Sequence, residues 1–124
     1  MNHAFLQVAL GGALGSMARY GVTILAGRIS PAFPLGTLTV NIVGCFVMGL
    51  LAAIIAHRGG QHLAPLALTG MLGGFTTFSA FALDTMVLWE RGAALTAAGY
   101  VLASVVISLL AVLAGLAIGR GLFV

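Results

Sequence analysis

Charge is what this sequence has least of: five arginines, two acids and no lysine among 124 residues, 6% in all. A soluble domain carries about 25% charged residues to face water. With 61% of the chain hydrophobic and 18 glycines besides, a water-soluble fold is excluded and the chain is read as an integral membrane protein. The arginines, Arg19, Arg28, Arg58, Arg91 and Arg120, are scattered singly. No basic patch exists to track phosphates, so nucleic acid is excluded as a partner. One cysteine, Cys45, allows no intrachain disulfide, and in its apolar stretch it reads as a small buried hydrophobe. Enzyme chemistry lacks its parts: His3, His57 and His62 are terminal or in a loop, with no acid or thiol spaced for metal ligation and no Ser-His-Asp arrangement. Met1-Asn2-His3 has no basic n-region, so the first apolar run is read as a retained span.

What is there is apolar length. A hydrocarbon core of about 30 Å takes roughly 20 helical residues. Four runs qualify, at about 4–27, 35–56, 63–89 and 93–119, and together they make residues 1–124 a single transmembrane domain. Pro31 and Pro34 end the first, His57 to His62 close the second, and Trp89-Glu90-Arg91-Gly92 marks the headgroup end of the third. Four spans put Arg58 and Arg120 on one side and Arg28 and Arg91 on the other. The positive-inside rule then has almost no bias to act on. Either the chain inserts both ways and opposed copies pair about an axis in the membrane plane, or the N-terminal amine or one loop decides.

Several residues do not suit a lipid-facing helix. Gly73-Gly74-Phe75-Thr76-Thr77 lies near the middle of the third span. Paired glycines before β-branched threonines weaken a helix, and the reading is a break whose freed carbonyls, from Gly73 and Thr76, suit a hard cation such as sodium. The alternative is a continuous helix whose threonines bond back to the preceding turn. Phe75, Phe78 and Phe81 recur every third residue, with positive ring edges available to a dehydrated anion. Tyr100, Ser104 and Ser108 are four apart, so at about 100° per residue they drift only about 40° per step and form one stripe. Thr37 and Asn41 make a similar pair in span two, and Arg19 sits about two turns inside span one, either snorkelling or facing a water-filled vestibule.

These motifs carry a resemblance. Gly11-Gly12-Ala13-Leu14-Gly15-Ser16-Met17-Ala18-Arg19-Tyr20, then Gly36-Thr37-Leu38-Thr39-Val40-Asn41-Ile42-Val43-Gly44, then Gly73-Gly74-Phe75-Thr76-Thr77-Phe78-Ser79-Ala80-Phe81 resemble the CrcB/Fluc family of fluoride channels. The resemblance implies an all-α dual-topology antiparallel homodimer in the bacterial inner membrane, multi-pass, with the third helix broken and two pores exporting fluoride passively. It implies that Phe78 and Phe81 meet the ion with ring edges and that Asn41 stands at the base of a vestibule. Tyr100, Ser104 and Ser108 are implied to form a polar track, and Thr37 and Arg19 are placed on the same pathway. Gly73 and Thr76 are implied to hold a structural sodium between subunits through backbone carbonyls. Two positions depart from the family pattern: Ala80 stands where threonine is common and Asp84 where glutamate is common. The alternatives are a proton-coupled exporter like the small multidrug resistance proteins, which needs a carboxylate deep in the first span, and a non-transporting assembly protein.

Overall fold

A computed structural model describes residues 3–123 of the chain; Met1 and Asn2, read above for targeting, lie outside them. Helix α1 runs His3–Ile29 and α2 Leu35–Arg58. The third span is written in pieces: a 3-10 turn at Gln61–Leu63, a π-helical stretch at Pro65–Leu72, a single turn α3 at Gly73–Phe75, and α4 at Ser79–Glu90. Residues 76–78 belong to no helix, and Thr76 has extended backbone at φ −87° and ψ 161°. Helix α5 is the longest, Ala94–Gly121. Four helical segments are long and apolar enough to cross a membrane, which makes this a multi-pass all-α protein. The helices start and stop where sequence chemistry demands it. The Pro31 to Pro34 turn separates α1 from α2, while Gly92, at φ 82°, supplies the left-handed residue that turns α4 into α5.

Lipid offers no hydrophobic drive between helices, so close backbone approach has to hold them. Glycines provide it at two seams. In the first, α1 lies along the π-helical stretch and α3, where Gly15 faces the Met71 carbonyl, Gly11 the Leu66 carbonyl and Gly74 the Gly12 carbonyl. In the second, α2 lies along α5, where Gly49 meets the Val112 carbonyl and Gly115 the Phe46 carbonyl. A Cβ at any of these would collide with backbone, which cannot swing away. The side-chain core is small and sits between α4 and α5: Phe81, Leu88, Ala97 and Tyr100, with Phe33 and Leu38 packed against it. Most other large apolar side chains point outward, as a bilayer solvent requires.

These seams give a first expected result. Gly15→Ala forces a methyl against the Met71 carbonyl and should cost about 1–3 kcal/mol as overpacking does, read as a lowered thermal midpoint in detergent. Gly121→Ala, with nothing among the described residues within 4 Å of the new methyl, should leave the midpoint unchanged. Equal midpoints for the two variants would show that the seam tolerates a methyl.

Candidate functional site

The non-helical backbone at Thr76 to Phe78 interrupts the helical hydrogen-bond ladder, and side chains from other elements take up part of what it frees. In a continuous helix the Thr77 amide would go to the Gly73 carbonyl; here it donates to Asn41 Oδ1 at 2.8 Å. Asn41 closes the clamp by donating from Nδ2 to the Thr77 carbonyl at 2.9 Å. The Gly74 carbonyl, without its helical partner from residue 78, accepts from Arg19 Nε at 3.0 Å. The Ala80 amide, which would go to the Thr76 carbonyl, donates to Thr77 Oγ1 at 3.1 Å, so Thr77 caps the start of α4. Thr76 Oγ1 bonds back to the Leu72 carbonyl at 2.9 Å, and its methyl fills the space that Gly44 leaves on α2. The donors that a helix would give to the Gly73 and Thr76 carbonyls are therefore both diverted, and Gly73 is exposed on the surface of the single chain.

Beside this junction an open groove of about 320 Å³ runs between α2, α4 and α5. Asn41 and Cys45 line it from α2, Phe78 and Phe81 from the start of α4, and Ser104 and Ser108 from α5. Phe81 is buried and Phe78 is 77% exposed, with ring centroids 5.5 Å apart and planes at 59°. The Ser104 and Ser108 hydroxyl oxygens are buried and make no well-formed hydrogen bond among the described residues, Ser108 having only the weakly polar Cys45 thiol beside it. Buried hydroxyls ordinarily find a partner, and these two lie on one wall of one groove with their hydrogen-bonding capacity largely unspent. The guest they suit is an anion, met by hydroxyl protons on one wall and ring edges on the other. The groove itself carries no charged side chain.

The stripe continues past the groove. Tyr100, 1% exposed, packs against Phe81 at 5.3 Å and donates its hydroxyl to Asp84 Oδ2 at 3.1 Å. Asp84, with its short side chain, reaches the phenol from α4. Thr37 is buried near it, lining a second cavity of about 180 Å³ that Asp84 also faces. The structure thus gathers Asn41, Phe78, Phe81, Ser104 and Ser108 about one groove, with Tyr100 and Thr37 next along. Arg19 lies apart, tied to the Gly74 carbonyl. The sequence read Cys45 only as a small buried hydrophobe, whereas it is half-buried in the groove wall, and Phe33 carried no signal. Cys45 is four residues after Asn41 on one helix face, a spacing that would have found it. Phe33 belongs to a loop, where no periodicity points anywhere, yet it meets the Tyr100 ring edge to face at 5.5 Å and 86°.

Comparison with known proteins follows this geometry. A family model described as CrcB-like protein, Camphor Resistance (CrcB), matches residues 6–116. A protein of Paracoccus denitrificans named fluoride-specific ion channel FluC is 79% identical over 123 residues, 99% of each chain. Proteins of the same name from Cereibacter sphaeroides and Rhizobium etli are each 55% identical, over 122 residues (98% of both chains) and 125 residues (98% of this chain and 99% of the other).

Proposed function

This chain belongs to the CrcB family, and on that premise we propose that it is a fluoride-selective ion channel whose conducting wall is the groove between α2, α4 and α5. The observation that carries the reading is the pairing of two largely unspent hydroxyls, Ser104 and Ser108, with the Phe78 and Phe81 rings across one uncharged groove. Fluoride holds water tightly, so a wall that merely excludes water excludes fluoride first. Neutral hydroxyl donors and ring edges replace that water with many moderate contacts, and a site binds well enough to admit the ion yet weakly enough to release it. A fixed arginine in the groove would hold fluoride too long, and Arg19 is occupied elsewhere.

The finer reading is of passive export from the cytoplasm through two pores in an antiparallel homodimer of the bacterial inner membrane. Supporting it are the even arginine count, the openness of the groove in a single chain, and the 77% exposure of Phe78, a large ring that its own chain covers only on the Phe81 side. A structural sodium fits the same assembly. The Gly73 and Thr76 carbonyls have lost their helical donors, and neutral oxygens from two copies suit a hard monovalent cation. Bound there, it would neutralise converging carbonyl dipoles and hold the two breaks together.

Efflux of fluoride from proteoliposomes tests the function. The expected result is flux driven by the fluoride gradient alone, unchanged when a proton gradient is added and lost on prolonged sodium replacement. Flux that requires the proton gradient would make the protein a coupled exporter. Within the groove, Ser104→Ala and Ser108→Ala remove hydroxyls that make no well-formed hydrogen bond among the described residues, Ser108 having only the weak contact to the Cys45 thiol. Their thermal midpoints should therefore hold or rise, by up to about 1 kcal/mol of relieved desolvation, while flux falls. Wild-type flux in both would remove the hydroxyl wall from the pathway.

A further inference from the structure

The ring pair in the groove is part of a longer row. Phe78 and Phe81 are 5.5 Å apart, Phe81 and Tyr100 5.3 Å, and Tyr100 and Phe33 5.5 Å. The row starts in the groove at mid-span and ends at the first loop. There two cavities, of about 200 and 180 Å³, flank the loop and share Pro31, Phe33, Pro34 and Asp84 as wall. The loop is stapled across the bundle by a hydrogen bond from Arg91 Nη1 to the Ala32 carbonyl at 3.2 Å, and Arg91 lines the larger cavity together with Asp84.

Resting on the fluoride reading, we propose that the cavity beneath the first loop is the outer mouth of the conducting stripe, with Arg91 drawing fluoride to it and Phe33 carrying the aromatic wall out to meet it. The need for a cation follows from Asp84. An anion moving along the stripe past Tyr100 meets this carboxylate, whose Oδ2 accepts the phenol hydrogen bond that would otherwise be offered to the ion. Left alone, the carboxylate repels fluoride at the threshold. A guanidinium lining the same cavity offsets that field. Because Arg91 follows Trp89 and Glu90 at the headgroup level and is exposed, it acts on approach, where a positive potential raises local anion concentration, and not in the narrow section, where it would trap the ion. In an antiparallel dimer a copy of this mouth opens on each side of the membrane, so orientation in a vesicle does not hide its effect.

The test uses the full-length protein in proteoliposomes, with fluoride as the minor anion. At about 10 mM ionic strength, where charges act over about 30 Å, Arg91→Gln should lower flux roughly three- to tenfold, and at about 1 M, where they act over about 3 Å, the difference should vanish. Arg91→Lys keeps the charge without the fork and should stay near wild type at low salt. Phe33→Leu keeps apolar volume, removes the ring, and should lower flux equally at both ionic strengths. A deficit of Arg91→Gln that ignores salt would make Arg91 a latch on the Ala32 carbonyl only, and wild-type flux at low salt would make it a headgroup anchor; either overturns its role here. Full flux through Phe33→Leu overturns the extension of the wall. A wild-type protein silent to fluoride would remove the channel reading itself and this mouth with it.

Discussion

Phe78→Ile and Phe81→Ile are each expected to lower fluoride flux at least about tenfold, equivalent to about 1.4 kcal/mol on the barrier, while the purified protein keeps its elution volume on size exclusion. Isoleucine retains apolar bulk and removes the positive ring edge. The two positions then part in stability. Phe78 is 77% exposed in the chain and its loss should barely move the thermal midpoint. Phe81 is buried against Tyr100, so its replacement should also cost roughly 1–2 kcal/mol of repacking. Full fluoride flux through both variants would show that the rings are packing and nothing more. Flux lost only in Phe81→Ile, together with a collapsed midpoint, would assign the loss to folding.

Asn41→Leu should be the most destabilising polar substitution in the bundle. Its amide satisfies both the N–H and the carbonyl of Thr77, at 2.8 and 2.9 Å, where the helix ladder supplies neither partner. Each orphaned backbone group costs about 1–3 kcal/mol, so a loss of about 2–6 kcal/mol is expected from the pair, measured by thermal or denaturant unfolding in detergent. Asn41→Asp separates structure from conduction. It keeps an acceptor for the Thr77 amide, loses the donor to the carbonyl, and so should be less destabilised than Asn41→Leu. Asn41 lines the groove, so a carboxylate there sets a negative charge against the anion, and flux should fall further than stability does. An Asn41→Leu protein as stable as wild type would mean that the Thr77 clamp contributes nothing to holding the helix junction.

The Asn41 clamp, the Arg19 bond and the diverted Thr77 and Ala80 amides concern the same three non-helical residues, 76–78. Arg19 is the instructive member. In a sequence it is a lone charge two turns inside an apolar span, and snorkelling and anion attraction both account for it. In the fold its Nε bonds a carbonyl 55 positions away that has lost its helical donor, a use of arginine that local pattern does not reveal.

What the sequence by itself determined is whatever depends on composition and on spacing within one helix. Six per cent charge and four apolar runs required a bilayer. Tyr100, Ser104 and Ser108 had to share a face because residues four apart do. Glycines four apart, Gly11 with Gly15 and Gly115 with Gly119, point to close helix approach, since small residues let backbones meet in lipid. Tertiary structure alone decided which faces meet. Asn41 finds Thr77 across 36 positions and Arg91 finds Ala32 across 59, and no periodicity encodes either distance. It decided too that the Ser104 and Ser108 hydroxyls make no well-formed hydrogen bond while Thr76 bonds back to Leu72. Like hydroxyl chemistry is spent on the backbone at Thr76 and left largely unspent at Ser104 and Ser108, because only packing determines what lies within about 3 Å of an oxygen.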